Sequence, residues 1–183
     1  MYEKVINELV KKAKKLKQGA GMDKETKMGP LVSKKQQKRV IHYIEKGKEE
    51  GAKVPAGGKN PFEKGYFIQP TVFTDVKDEM TIAKEEIFGP VIAAIPFNET
   101  EEVIERANHS PYGLAAGVWT QNIKTAHQVA NKVKAGTVWI NDYNVENAAA
   151  PFGGFKQSGI GREIGSYALN NYTEVKSVWL NIK

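Results

Sequence analysis

A chain of 183 residues, 40% hydrophobic and 26% charged, has the make-up of an ordinary folded domain: long enough to bury a core without staples, too balanced to be disordered. It contains no cysteine, which excludes disulfides, thiolate zinc sites and any thiol nucleophile of its own. The net charge is +6 and sits in residues 1–50, where 14 Lys and Arg stand against 7 Asp and Glu. Lys11, Lys12, Lys14, Lys15 and Lys17 have no aromatic residues among them, so they predict the solvated face of a helix and no nucleic-acid partner. No apolar run approaches the roughly 20 residues that span a bilayer, and no signal-type apolar region is present, so no membrane partner and a cytoplasmic location are expected.

Apolar residues from Tyr2 through Ile6, Leu9 and Ala13 to Leu16 recur at helical spacing and predict an opening helix. A Gly-rich loop follows from Gln18 to Pro30. Ser33 is placed to cap a second helix that runs through Ile41 and Ile44 to about Glu50. Gly51, Gly57, Gly58, Pro61 and Gly65 mark a connection, and Tyr66 to Val76 reads as extended, interrupted by Pro70. Next comes a strand from Val91 to Phe97. A helix carrying Val103, Ile104 and Ala107 follows, with Asn98 as cap and Glu101 as capping-box partner. Leu114 to Trp119 reads as a strand, Ile123 to Val133 as a helix closed by Ala135-Gly136, and Thr137 to Ile140 as a strand. Alternating strands and helices predict an α/β fold with a parallel sheet and two crossovers. Asn141 to Gly161 is a long loop at a strand end, where open α/β sheets bind ligands. A helix near Arg162 to Tyr172 and a strand from Glu174 to Ile182 are expected to complete the chain.

Six strings stand out: GYFIQPTVF (Gly65 to Phe73), KEEIFGP (Lys84 to Pro90), YGLAAGVWT (Tyr112 to Thr120), GTVWIN (Gly136 to Asn141), PFGGFKQSGIGRE (Pro151 to Glu163) and YTEVKSVW (Tyr172 to Trp179). In this order and spacing the chain resembles the aldehyde dehydrogenase superfamily, in its broad-specificity, NAD-preferring branch. The resemblance implies a parallel-sheet catalytic domain truncated on its N-terminal side, residues 1–172, followed by a strand of the oligomerisation arm, residues 173–183. It also implies NAD or NADP as cofactor and oxidation of an aldehyde to an acid through a thioester on a Cys, with a Glu as general base. The motifs of that Cys and that Glu, and the glycine-rich cofactor turn, belong to segments upstream of everything matched here. The chain by itself is therefore expected to be inactive and to bind cofactor weakly or not at all.

The resemblance assigns a supporting shell. Glu86 matches the carboxylate that accepts hydrogen bonds from the nicotinamide ribose, a task suited to two acceptor oxygens. Phe88 matches the residue beside the nicotinamide ring. Gln36 and Arg39, one helical turn apart on a shared face, match positions near the ribose. Phe152 corresponds to an aromatic at the mouth of the substrate tunnel, and Glu146 stands where relatives often carry an apolar residue. Arg162 is expected to pair with Glu174. His42, His109 and His127 share no metal-ligand spacing, and no metal is expected. The partners implied are further copies of the chain or full-length aldehyde dehydrogenase subunits. The alternative is a module that oligomerises and catalyses nothing.

Overall fold

The longest helix starts where a side chain can satisfy one of its free N–H groups. In the computed structural model, which describes residues 1–183, Ser33 accepts the backbone N–H of Gln36 at 3.2 Å and opens helix α2, Lys34–Glu49. The chain is a mixed α/β protein that divides into two compact units, Met1–Pro96 and Phe97–Lys183.

In the first unit, helix α1 (Tyr2–Lys15) buries Ile6 and leaves its lysines in solvent. Three of them, Lys12, Lys14 and Lys15, lie in the last turn, where positive charge complements the helix dipole. Strand β1 (Lys53–Ala56) runs antiparallel to β2 (Thr71–Thr74), and β2 runs parallel to β3 (Val91–Ala93) in the order β1-β2-β3. Phe73 from β2 is fully buried among Val40, Tyr43 and Ile44 of α2 and Ile68, Val76, Met80 and Ile82. Regular pairing is shorter than the extended run expected over Tyr66 to Val76. Pro70 has no N–H to give a ladder, and β2 begins only at Thr71, whose N–H donates to the Pro90 carbonyl at 2.8 Å. Strand β1 lies in a stretch that reads as connection in the sequence. A one-turn helix, α3 (Thr81–Lys84), packs against α2. It is held by Glu50, whose carboxylate accepts the Thr81 hydroxyl at 2.6 Å and the Thr81 N–H at 2.7 Å. These two bonds, the hydroxyl first, hold the Glu50 carboxyl below the ordinary carboxylate range.

The second unit begins with a capping box displaced by one residue from the expected one. Glu99 caps helix α4 (Thr100–His109), and Glu102 reaches back to accept the N–H groups of Asn98 and Glu99 at 2.9 and 3.4 Å. Strand β4 is Tyr112–Gly113, and β5 is Ala115–Val118. Helix α5 (Ile123–Lys132) is capped by Asn122, whose side chain accepts from Lys124 and Thr125. Strand β6 (Thr137–Ile140) pairs in parallel with β5, with Gly117 opposite Trp139. One β-α-β crossover therefore joins a hydrogen-bonded pair. The expected first crossover does not: β3 has β2 as its parallel partner and stands at the edge of its sheet. Strand β7 (Phe155–Lys156) pairs antiparallel with β4. The helix expected near Arg162 to Tyr172 is a short 3-10 segment, Ser166–Asn171. The strand expected from Glu174 to Ile182 is absent: these residues pair with nothing, and Val175, Trp179 and Ile182 are 98%, 94% and 87% exposed. An alternating pattern makes a strand only where another strand supplies hydrogen bonds.

Candidate functional site: a clamped turn beside helix α2

The segment Glu85–Gly89 leaves α3 as extended chain and turns sharply at Phe88, which has φ +54°. A non-glycine residue in that region costs roughly 1–2 kcal/mol, so neighbouring bonds must hold it. They come from one face of α2. Gln36, Arg39 and Tyr43 are spaced three and four residues apart and so line up along the helix. Gln36 donates its amide to the Ile87 and Phe88 carbonyls at 3.1 and 2.7 Å. Arg39 donates to the Glu86 carbonyl at 2.7 Å, and its guanidinium lies 5.5 Å from the centre of the Tyr43 ring. The Tyr43 hydroxyl donates to Glu85 Oε2 at 2.7 Å. That bond, with burial and the Glu85 charge behind it, raises the Tyr43 phenol above its ordinary value. Every backbone carbonyl from Glu86 to Phe88 is thus engaged from α2, while the side chains of Glu86 and Phe88 stand in solvent, Phe88 72% exposed.

Of the residues singled out in the sequence, four come together in this unit: Gln36 and Arg39 on α2, Glu86 and Phe88 on the turn. Gln36 and Arg39 each donate to the backbone of the turn. Tyr43 and Glu85 complete the cluster and were not singled out. The one signal that could have found them is the placement of Tyr43, one turn beyond Arg39 on the same helix face.

Phe152 belongs to the second unit. It is half-buried and exchanges backbone hydrogen bonds with Glu163 at 2.8 and 2.7 Å. Together with Leu114, Ser158, Arg162 and Glu163 it lines an open cleft of about 280 Å³. The loop can lie this close to the sheet because Gly136 has no Cβ; one there would stand 1.6 Å from the Gly153 carbonyl oxygen. The loop after β6 is exposed, Glu146 included, and is pinned where the Trp139 indole N–H donates to the Val145 carbonyl at 2.9 Å. The expected Arg162–Glu174 ion pair is replaced. Arg162 donates to the Gly154 and Gly161 carbonyls at 3.0 and 2.6 Å and lies 5.3 Å from the centre of the Phe155 ring. Two nearby carbonyls and an aromatic face satisfy the guanidinium within its own loop, and Glu174 lies in the exposed tail. No group of three or more His, Asp or Glu side chains is placed to hold a metal ion. No helix is long and apolar enough to cross a membrane.

Known proteins match this architecture closely. The model of the aldehyde dehydrogenase family matches residues 1–178. DhaS of Bacillus subtilis strain 168, provisionally named an aldehyde dehydrogenase, is 65% identical over 100% of the chain and 37% of its own length. A betaine aldehyde dehydrogenase of Brucella anthropi is 51% identical over 100% of the chain and 38% of its own length. The structure of an aldehyde dehydrogenase from Bacillus cereus, solved as its NAD+ complex, superimposes with a TM-score of 0.97 at 77% identity, covering 100% of the chain and 37% of that protein. The chain therefore spans little more than a third of the length of the relatives it matches, and it belongs to the aldehyde dehydrogenase family.

Proposed function

We propose that this chain is the C-terminal part of an NAD-dependent aldehyde dehydrogenase, that it contributes one wall of the nicotinamide site, and that it oxidises no aldehyde alone. The clamped turn carries this reading. In the resembling family the bound dinucleotide accepts a hydride. What this chain would do is orient it: Glu86 would accept the ribose hydroxyls, and Phe88 would flank the ring. The residues fit that ligand. Both oxygens of the exposed Glu86 carboxylate are open to hydroxyl donors, and the aromatic face of Phe88 is bare. Neither residue can attack a carbonyl as a thiolate would, and the chain has no cysteine.

The test is NADH formation from NAD and a panel of aldehydes, with the pure chain alone and mixed with the remaining N-terminal part of a close relative. No activity alone and recovery on mixing is the expected result. NADH formed by the chain alone, above a heat-killed control, would overturn it.

A second reading, self-association or association with full-length subunits, is favoured by the tail. Residues 173–183 leave Val175, Val178, Trp179, Leu180 and Ile182 all at least 79% exposed on a segment with unpaired backbone. Such a segment invites pairing with another chain. Burying each of these side chains contributes roughly 1.5–3 kcal/mol, enough to offset much of the association entropy.

A further inference from the structure

We infer that Tyr43 and Glu85 are a positioning pair, which fixes the direction in which Glu86 and Phe88 are presented to a nicotinamide nucleotide. The inference rests on the reading of this turn as the ribose-facing wall. Glu85 has extended backbone, φ −111° and ψ 147°, and along extended chain successive side chains point to opposite faces. With Glu85 drawn in to the Tyr43 hydroxyl at 2.7 Å, the next side chain, Glu86, is turned away from α2. Gln36 and Arg39 secure carbonyl oxygens and leave the side-chain directions of the turn to other contacts. The Tyr43–Glu85 bond is the one hydrogen bond between α2 and a side chain of the turn.

The two partners differ in what they risk. The Tyr43 ring belongs to the buried core at 7% exposure, so the pair has a rigid base and the hydroxyl has one place to point. Glu85 is exposed and adds nothing to that core, so replacing it removes the orienting bond and almost no packing. A hydroxyl-to-carboxylate bond is charge-assisted and about twice as strong as a neutral one, and it acts where Phe88 already departs from favoured backbone. A purely structural role would predict the opposite of what the placement gives, namely a Glu85 whose loss is felt in stability. Neither residue touches the nucleotide in this account. They act through Glu86 and Phe88.

The experiment uses the full chain with Glu85→Ala, Tyr43→Phe and the conservative Glu85→Gln, whose amide oxygen can still accept from the phenol. Three quantities are read: χ1-sensitive NMR couplings of the Glu86 and Phe88 side chains without ligand, affinity for nicotinamide mononucleotide by NMR titration, and the thermal midpoint. Side chains that hold one preferred χ1 rotamer in the parent should average over rotamers in Glu85→Ala and Tyr43→Phe. Affinity should weaken about fivefold or more, with the midpoint held, and Glu85→Gln should restore both quantities. An unchanged turn in Glu85→Ala overturns the inference whatever the nucleotide does. So does a loosened turn with parental affinity. If the parent takes up no nucleotide alone, the titration is repeated with the complementing N-terminal part present; no uptake there while the turn loosens as stated fails the cofactor-wall reading and supports the positioning pair.

Discussion

Replacing Gly89 with alanine tests the clamped turn through its packing on α2. A Cβ built on Gly89 would stand 2.5 Å from Val40 Cγ2, 2.9 Å from Cγ1 and 3.3 Å from Cβ. Val40 cannot yield: it is fully buried, and its β-branched side chain has essentially one rotamer in a helix. The turn must therefore lift from α2, which lengthens the Gln36 bonds to Ile87 and Phe88. Overpacking of this kind costs about 1–3 kcal/mol, and the loss of unfolded-state entropy on Gly→Ala returns about 0.4–1 kcal/mol. The expected net effect is a destabilisation of about 1–2 kcal/mol. Urea unfolding should be followed by far-UV circular dichroism, because Trp119, Trp139 and Trp179 all lie in the second unit while the two longest helices lie in the first. Gly29→Ala is the control, since a Cβ there meets nothing within 4 Å. It should be neutral or slightly stabilising. In the Gly89→Ala/Val40→Ala double variant the clash is relieved, so its cost should fall below the sum of the single variants by about 1 kcal/mol. If Gly89→Ala unfolds like Gly29→Ala, the close packing of the turn on Val40 is wrong.

Three further outcomes follow from the structure. Phe73→Ala, which empties the centre of the first unit's core, should cost about 3–5 kcal/mol and abolish cooperative unfolding of that unit in a urea titration. Glu102 accepts two backbone N–H groups, which hold its carboxyl below the ordinary range, so its share of stability is complete above the unfolded pKa and is lost as pH falls through the lower folded value; Glu102→Gln should flatten the acid limb of midpoint against pH, and an unchanged limb would refute the capping box. Ending the chain at Thr173 should abolish any association seen by sedimentation at tens of micromolar; equal association of both forms would move the interface away from the tail.

What the sequence made legible was whatever a local pattern encodes. The cap at Ser33, the helix it opens and the β5-α5-β6 order follow from spacing within a few residues. So do the residues of the KEEIFGP string, which a motif names without any geometry. The Glu99 and Glu102 capping box was read one residue early because Asn98 with Glu101 satisfies the same spacing rule, and only the backbone decides between them. Strand β1 is hidden by Pro55 inside it and by the glycines on either side. The Tyr43–Glu85 bond joins residues 42 apart, and no periodicity reaches that far.

The tail is the most informative disagreement. Its alternation of Val175, Trp179 and Asn181 against Val178, Leu180 and Ile182 is a sound strand signal, yet the segment forms no strand. Both facts hold because strand formation is a property of a pair. Each backbone N–H left in water loses little, whereas the same segment laid against another strand gains a ladder and buries apolar side chains on two faces. Laid against a strand of another chain, the segment would gain such a ladder, which is the association proposed above. The same logic extends to the turn at Phe88. Its backbone is tied from α2 while its aromatic face is left bare. Both places leave apolar surface bare, and the occupants proposed above for them are another strand for the tail and a flat, hydroxyl-bearing ligand for the turn.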